Sequence, residues 1–198
     1  MTTPTTTSIR LRATIALSMA FALVLAACGD DGATDTTAAP ATTAGPATTA
    51  AAAETITVTA VDYGFEGLPS TIVAGTTLTL ANESSMELHE FVAIRLPDDE
   101  TRSAEELLQL PPEELAAFFQ FVSTVIITPP SAPEGFAVEG DGTLTEPGRY
   151  LVICAIPTGA DPDEYLAAAA ESEGGPPQVD GGPPHFVNGM FAEVTVEG

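Results

Sequence analysis

Pro147-Gly148-Arg149-Tyr150-Leu151-Val152-Ile153-Cys154-Ala155-Ile156 is the stretch on which the reading of this chain turns, together with Pro184-His185-Phe186-Val187-Asn188-Gly189-Met190 near its end. A Pro-Gly turn followed by an aromatic and β-branched run reads as a buried strand over 148–156. Its period of 2 groups Tyr150, Val152, Cys154 and Ile156 on one side. Met190 opens a further strand candidate over 190–196. Upstream, residues 55–61 alternate, with Ile56, Val58 and Ala60 on one face and threonines on the other. Residues 71–73, a turn at Ala74-Gly75 and residues 76–81, with Leu78 and Leu80 inward, predict a hairpin-like pair. A longer strand over 86–96 carries His89, Phe91 and Ala93 on one side. Many short strands with Gly/Pro turns predict a mainly β, antiparallel sandwich.

Two stretches break this pattern and read as short helical insertions, at about 97–122 and 157–184. Ser103-Ala104-Glu105-Glu106 and Pro111-Pro112-Glu113-Glu114 are helix-start signals. Asp161-Pro162-Asp163-Glu164 is another, for a helix running to Ala170 that then dissolves into a Gly/Pro loop. The paired glutamates at these starts are solvated first-turn residues rather than acid/base pairs.

The N-terminus has Arg10 and Arg12, an apolar run over 13–24 and small residues before Cys28, the organisation of a secretory signal over 1–27. That run is too short for a comfortable membrane span of about 20 residues. Leu25-Ala26-Ala27-Cys28 resembles the lipobox of bacterial lipoproteins, and the resemblance implies that Cys28 is lipidated, anchoring the protein to the outside of the cell membrane. Residues 28–53 are, after Cys28, Thr, Ala, Pro and Gly with three Asp and no apolar periodicity, a tether with a reach of roughly 25 to 30 Å. Residues 54–198 are of ordinary size for one domain.

All 28 acidic residues follow Cys28, against Arg95, Arg102 and Arg149, so the mature chain carries a net charge of −25. Such a surface repels phosphate backbones, which argues against nucleic acid, and would steer in a cationic partner. Of the two cysteines, the first is committed to the anchor, so Cys154 cannot pair within the mature chain. An unpaired thiol in an oxidising compartment needs burial or a ligand.

His89, Cys154, His185 and Met190 supply two imidazoles, a thiolate and a thioether, the donors of a blue-copper site with trigonal His, His and Cys and a long axial Met. Together with Val61-Asp62-Tyr63-Gly64-Phe65, Ile72-Val73-Ala74-Gly75-Thr76, Asn82 and His89-Glu90-Phe91, the two opening stretches resemble plastocyanin, azurin and related cupredoxins across residues 54–198, apart from the insertions. The resemblance implies a Greek-key β-sandwich, one mononuclear type 1 copper, and electron transfer with an unidentified redox partner rather than catalysis. It also implies that His185, flanked by Pro184 and Phe186, is the ligand nearest solvent and the electron port. One feature departs from the family: 30 residues separate Cys154 from His185, where cupredoxins have a short loop. An extracytoplasmic copper carrier or buffer, and a metal-free binding module, are the other functions open to such a domain. No Gly-rich phosphate loop, zinc cysteine pair or spare histidine for a Ser-His-Asp arrangement is present.

Overall fold

The computed structural model describes residues 53–172 and 176–198. The signal, Cys28 and nearly all of the tether lie outside the described residues. Among the described residues ten strands form two sheets. The first contains β1 (Thr55–Val61), β2 (Gly64–Glu66), β4 (Thr76–Asn82) and β8 (Thr143–Leu144), in the order β2-β1-β4-β8. The second has β3 (Thr71–Val73), β5 (His89–Arg95), β6 (Val122–Thr128), β7 (Phe136–Glu139), β9 (Gly148–Ile153) and β10 (Phe191–Glu197), in the order β3-β10-β9-β5-β6-β7.

This is the β-sandwich the residues predict, with one parallel pair in each sheet: β1 with β4 and β10 with β3. The expected hairpin over 71–81 is corrected by the same topology. β3 and β4 belong to different sheets, and the Ala74-Gly75 turn is the crossing between them. Gly75 takes φ +88°, a conformation costly for other residues. The Ala74 amide donates to Glu197 O on one sheet and the Gly75 amide to Leu144 O on the other.

Alternation places Val58, Leu78, Leu80, Phe91, Tyr150, Val152, Cys154 and Val194 between the sheets, in the main core. The opposite face of the second sheet is covered as well. There Val92, Ile94, Leu151 and Ile153 pack against Ala104 and Leu107 of α1 (Ala104–Leu108) and against Phe118 and Phe119. That second layer explains why β5 and β9 are apolar on both faces instead of alternating with polar residues.

Ser103 closes a capping box with Glu106 at the start of α1. α2 (Pro112–Ala116) opens on Pro112 and continues into a 3-10 turn, Ala117–Phe121. α3 (Pro162–Glu171) starts where Asp161 Oδ1 accepts hydrogen bonds from the Asp163 and Glu164 amides, both at 3.0 Å. The strand expected over 86–96 begins only at His89, because the Met86 and Glu87 amides donate to Ser84 Oγ and form a turn instead. Among the described residues no helix is long and apolar enough to cross a membrane.

Candidate metal centre

Three of the four predicted donors stand at the ends of strands and the fourth in a 3-10 turn. His89 is the first residue of β5, Cys154 lies just beyond β9, and Met190 stands just before β10. His185 opens a 3-10 turn, His185–Asn188, which ends at Gly189. All four side chains are fully buried. Nδ1 of His89 lies 3.2 Å from Nδ1 of His185, and Sγ of Cys154 lies 3.3 Å from that same nitrogen. One ligand atom from each of these three residues falls within 4.8 Å of the other two.

Main-chain hydrogen bonds hold Met190 to the group. Its amide donates to His185 O at 3.1 Å and its carbonyl accepts from the Cys154 amide at 3.2 Å. Met190 thus carries the β9–β10 pairing one residue past the Phe191–Ile153 pair.

The long Cys154–His185 separation does not open the site. The His185 amide donates to Ile156 O at 3.0 Å and the Phe186 amide to Cys154 O at 2.9 Å. Pro157 and Pro184 form an antiparallel bridge, and the Thr158 amide and hydroxyl both reach Pro183 O, at 3.1 and 2.8 Å. The insertion is therefore pinched at its base, and the two ligands are as near as a short loop would put them. Closure cost rises only slowly with loop length, so the intervening residues add little strain.

In a trigonal plane with metal–nitrogen bonds of about 2.0 to 2.1 Å and a metal–sulfur bond of about 2.3 Å, donor atoms sit about 3.5 to 3.8 Å apart. The observed 3.2 and 3.3 Å need widen only by a few tenths of an ångström. Burial, then the neighbouring His185, drives the pKa of His89 down to about 4. Burial likewise lowers His185, while Glu87 acts in the opposite direction. Both rings are thus neutral at ordinary pH, with lone pairs available to a metal. Burial raises the Cys154 thiol well above its ordinary value, so a thiolate here requires a cation beside it. Two neutral imidazoles and a thiol with no countercharge, sealed from water and facing one point, fit one mononuclear type 1 copper.

His185 has no side-chain exposure, and neither has any of the other three donors, so exposure does not single it out as the ligand nearest solvent. The ring of Tyr63, in a positive-φ turn between β1 and β2, packs edge-on at 5.3 Å, and Oε2 of Glu87 lies 3.3 Å from Nε2. Met86, next to Glu87 in sequence, is 80 % exposed, and Val187, two residues after His185, is 60 % exposed.

Several residues without a ligand signature shape the site. The Glu90 amide donates to Cys154 Sγ at 3.4 Å. Asn82 holds the turn before His89: its Nδ2 donates to Glu87 O and Thr128 O, at 2.9 and 3.0 Å, and its Oδ1 accepts from the Ser84 amide at 2.8 Å. Asn188 holds the insertion's neck by donating to Thr158 Oγ1 at 3.0 Å.

No protein-family model and no curated protein matches the chain. Among solved structures, a reduced auracyanin from the photosynthetic bacterium Roseiflexus castenholzii is similar at 19 % identity and a TM-score of 0.41, over 75 % of this chain and 99 % of that one. Auracyanin A, a blue copper protein from Chloroflexus aurantiacus, gives 17 % and 0.39 over 72 % and 97 %. A multi-copper oxidase from Pediococcus acidilactici gives 12 % and 0.31, over 75 % of this chain and 26 % of that one.

Proposed function

We propose that the chain is an exported cupredoxin, anchored by lipid at Cys28, that holds one copper between His89, Cys154, His185 and Met190 and passes single electrons at the outer face of the cell membrane. The observation that carries the reading is the convergence of two imidazole Nδ1 atoms and one thiol sulfur inside a dry core, with pair distances of 3.2 and 3.3 Å. A soft thiolate with a weak thioether accommodates both Cu(II) and Cu(I), which is the property a one-electron carrier needs.

The chain's own part is to keep the donors in place and water out. His89 and Cys154 ride on paired strands, while His185 and Met190 are tied to them through the 185–190 turn. The Glu90 amide, aimed at Cys154 Sγ, stabilises negative charge on sulfur and tunes the potential. A partner would approach over Met86 and Val187, exposed apolar residues adjoining Glu87 and within the His185 turn, and the net negative charge favours a cationic partner. Both histidines of the chain are used in this one site, so a second copper site of the oxidase type has no imidazoles to draw on.

Adding Cu(II) to the purified protein should produce intense visible charge-transfer absorption, absent in Cys154→Ser. A protein that stays colourless and binds no copper overturns the reading. Separately, Cys28→Ser should release the chain from the membrane fraction.

A further inference from the structure

Glu87 is not among the donors, yet its carboxylate touches both sides of the insertion that separates two of them. Oε2 lies 3.3 Å from Nε2 of His185 and accepts a hydrogen bond from the Gly159 amide at 3.1 Å. The side chain is mostly covered, with 19 % exposure, and the imidazole is wholly buried. The Glu87 main chain is fixed too, its amide donating to Ser84 Oγ and its carbonyl accepting from Asn82 Nδ2.

The geometry of the ring gives this contact its meaning. Nδ1 of His185 faces Cys154 Sγ and His89 Nδ1. When Nδ1 gives its lone pair to a metal, the ring proton must sit on Nε2. In the protein as it stands Nε2 is buried without an aligned hydrogen bond, and the carboxylate of Glu87 is the acceptor within reach. On a solvent-facing ligand, water would take that proton.

We infer that Glu87 is a positioning residue of the metal centre: its carboxylate accepts the Nε2 proton of metal-bound His185, fixes the ring's orientation and favours Cu(II) over Cu(I). The physical reason is that a carboxylate behind a ligating imidazole increases the negative character of the donor atom, and this stabilises the more highly charged ion more. Low polarisability around the buried ring strengthens the effect. Gly159 lies at the start of the long insertion, so the same carboxylate also joins that segment to the ligand it precedes.

The inference rests on the copper reading above. Its test compares wild type, Glu87→Gln, Glu87→Asp and Glu87→Ala by competition with a Cu(II) chelator and, without oxygen, with a Cu(I) chelator. Amide exchange at Gly159 is followed in the metal-free proteins. Glutamine keeps the shape and an oxygen for the Gly159 amide but removes the charge. Glu87→Gln should lower Cu(II) affinity about ten- to a hundredfold, lower Cu(I) affinity far less, and leave Gly159 exchange near wild type. Glu87→Asp should retain much of the Cu(II) preference, and Glu87→Ala should lose it and speed Gly159 exchange. Equal losses for both ions, or no loss in Glu87→Gln, overturn the inference while the copper site stands. A wild type that binds neither ion removes the copper reading and the inference with it.

Discussion

The hydroxyl of Tyr165 donates a hydrogen bond to Oε2 of Glu90 across 2.9 Å, and both side chains are buried. The other carboxylate oxygen accepts from the Ala155 amide at 2.9 Å, and the Glu90 main-chain amide points at Cys154 Sγ. A residue next to His89 therefore fastens α3, in the middle of the insertion, to the strand pair that carries the cysteine. Together with the Pro157–Pro184 bridge, this explains how a long excursion leaves the donors undisturbed. Tyr165 belongs to the main core, so the insertion is structural rather than an appended loop.

Glu90 makes stability fall with pH. Burial pushes its pKa up from 4.5 to about 7, with the Tyr165 and Ala155 donors resisting. The groups facing it are the Tyr165 hydroxyl and the Cys154 thiol. Between those pH values the folded state holds the proton more tightly than the unfolded chain. Its contribution is complete below about 4.5 and is lost as pH rises through about 7, a loss of about 3 kcal/mol. Glu100 is held at about 2 by Arg102, and Glu193 is lowered by Arg149, so these act at lower pH. Denaturant unfolding of the metal-free protein at pH 5 and 7.5 should show the loss in wild type and not in Glu90→Gln. Parallel behaviour of the two proteins would refute the assignment.

Tyr165→Phe should cost about 1 to 3 kcal/mol, because it leaves a buried carboxylate oxygen without its donor. With that donor gone, the Glu90 pKa should rise further and the pH window extend upward. No donor atom of the metal centre is touched, so copper-bound Tyr165→Phe should keep its visible spectrum. Unfolding midpoints and absorption spectra of the two proteins check both halves.

The metal donors were legible because the chain has so few of their kind: two histidines and two cysteines. The strands carrying them were legible from alternation. What escaped was set by tertiary contacts. Glu87 and Glu90 are two among 28 acidic residues, and nothing local marks which carboxylate is buried. The cover over His185 comes from Tyr63 and Glu87, distant in sequence, and no local pattern announces it. The crossing at Ala74-Gly75 looks locally like a hairpin, since the sheet a strand joins depends on partners such as β10 and β1. β6 had no expectation because the helix signals just before it dominate that region.

Asn82→Ala should destabilise the protein by roughly 3 kcal/mol, since three hydrogen bonds of a buried side chain go at once. The turn over residues 83–88 should loosen with it, carrying Glu87 away from His185. Asn82→Asp separates loss of bonds from loss of shape: it keeps the acceptor for the Ser84 amide but sets a carboxylate oxygen against the Glu87 and Thr128 carbonyls, and should be no more stable than the alanine variant. Thermal unfolding and copper affinity, measured side by side, test this. An Asn82→Ala protein with wild-type values in both would show that the turn holds itself.

Gly189→Ala should damage the metal centre more than the fold. Gly189 has φ +107°, where an L side chain is strained, yet an added Cβ would come no closer than 3.8 Å to Tyr63 O. The penalty is therefore one of backbone torsion, roughly 1 to 3 kcal/mol, and the chain can relieve it by rotating the turn. That turn is what joins His185 to Met190: the Gly189 amide donates to Phe186 O, and the Met190 amide to His185 O. Relief consequently moves two donors, while β9 and β10 stay paired. The expected result is a modest drop in unfolding midpoint with a marked change in copper affinity and in the visible band. A variant with an unaltered spectrum and a lowered midpoint would show instead that the turn yields without shifting its ligands.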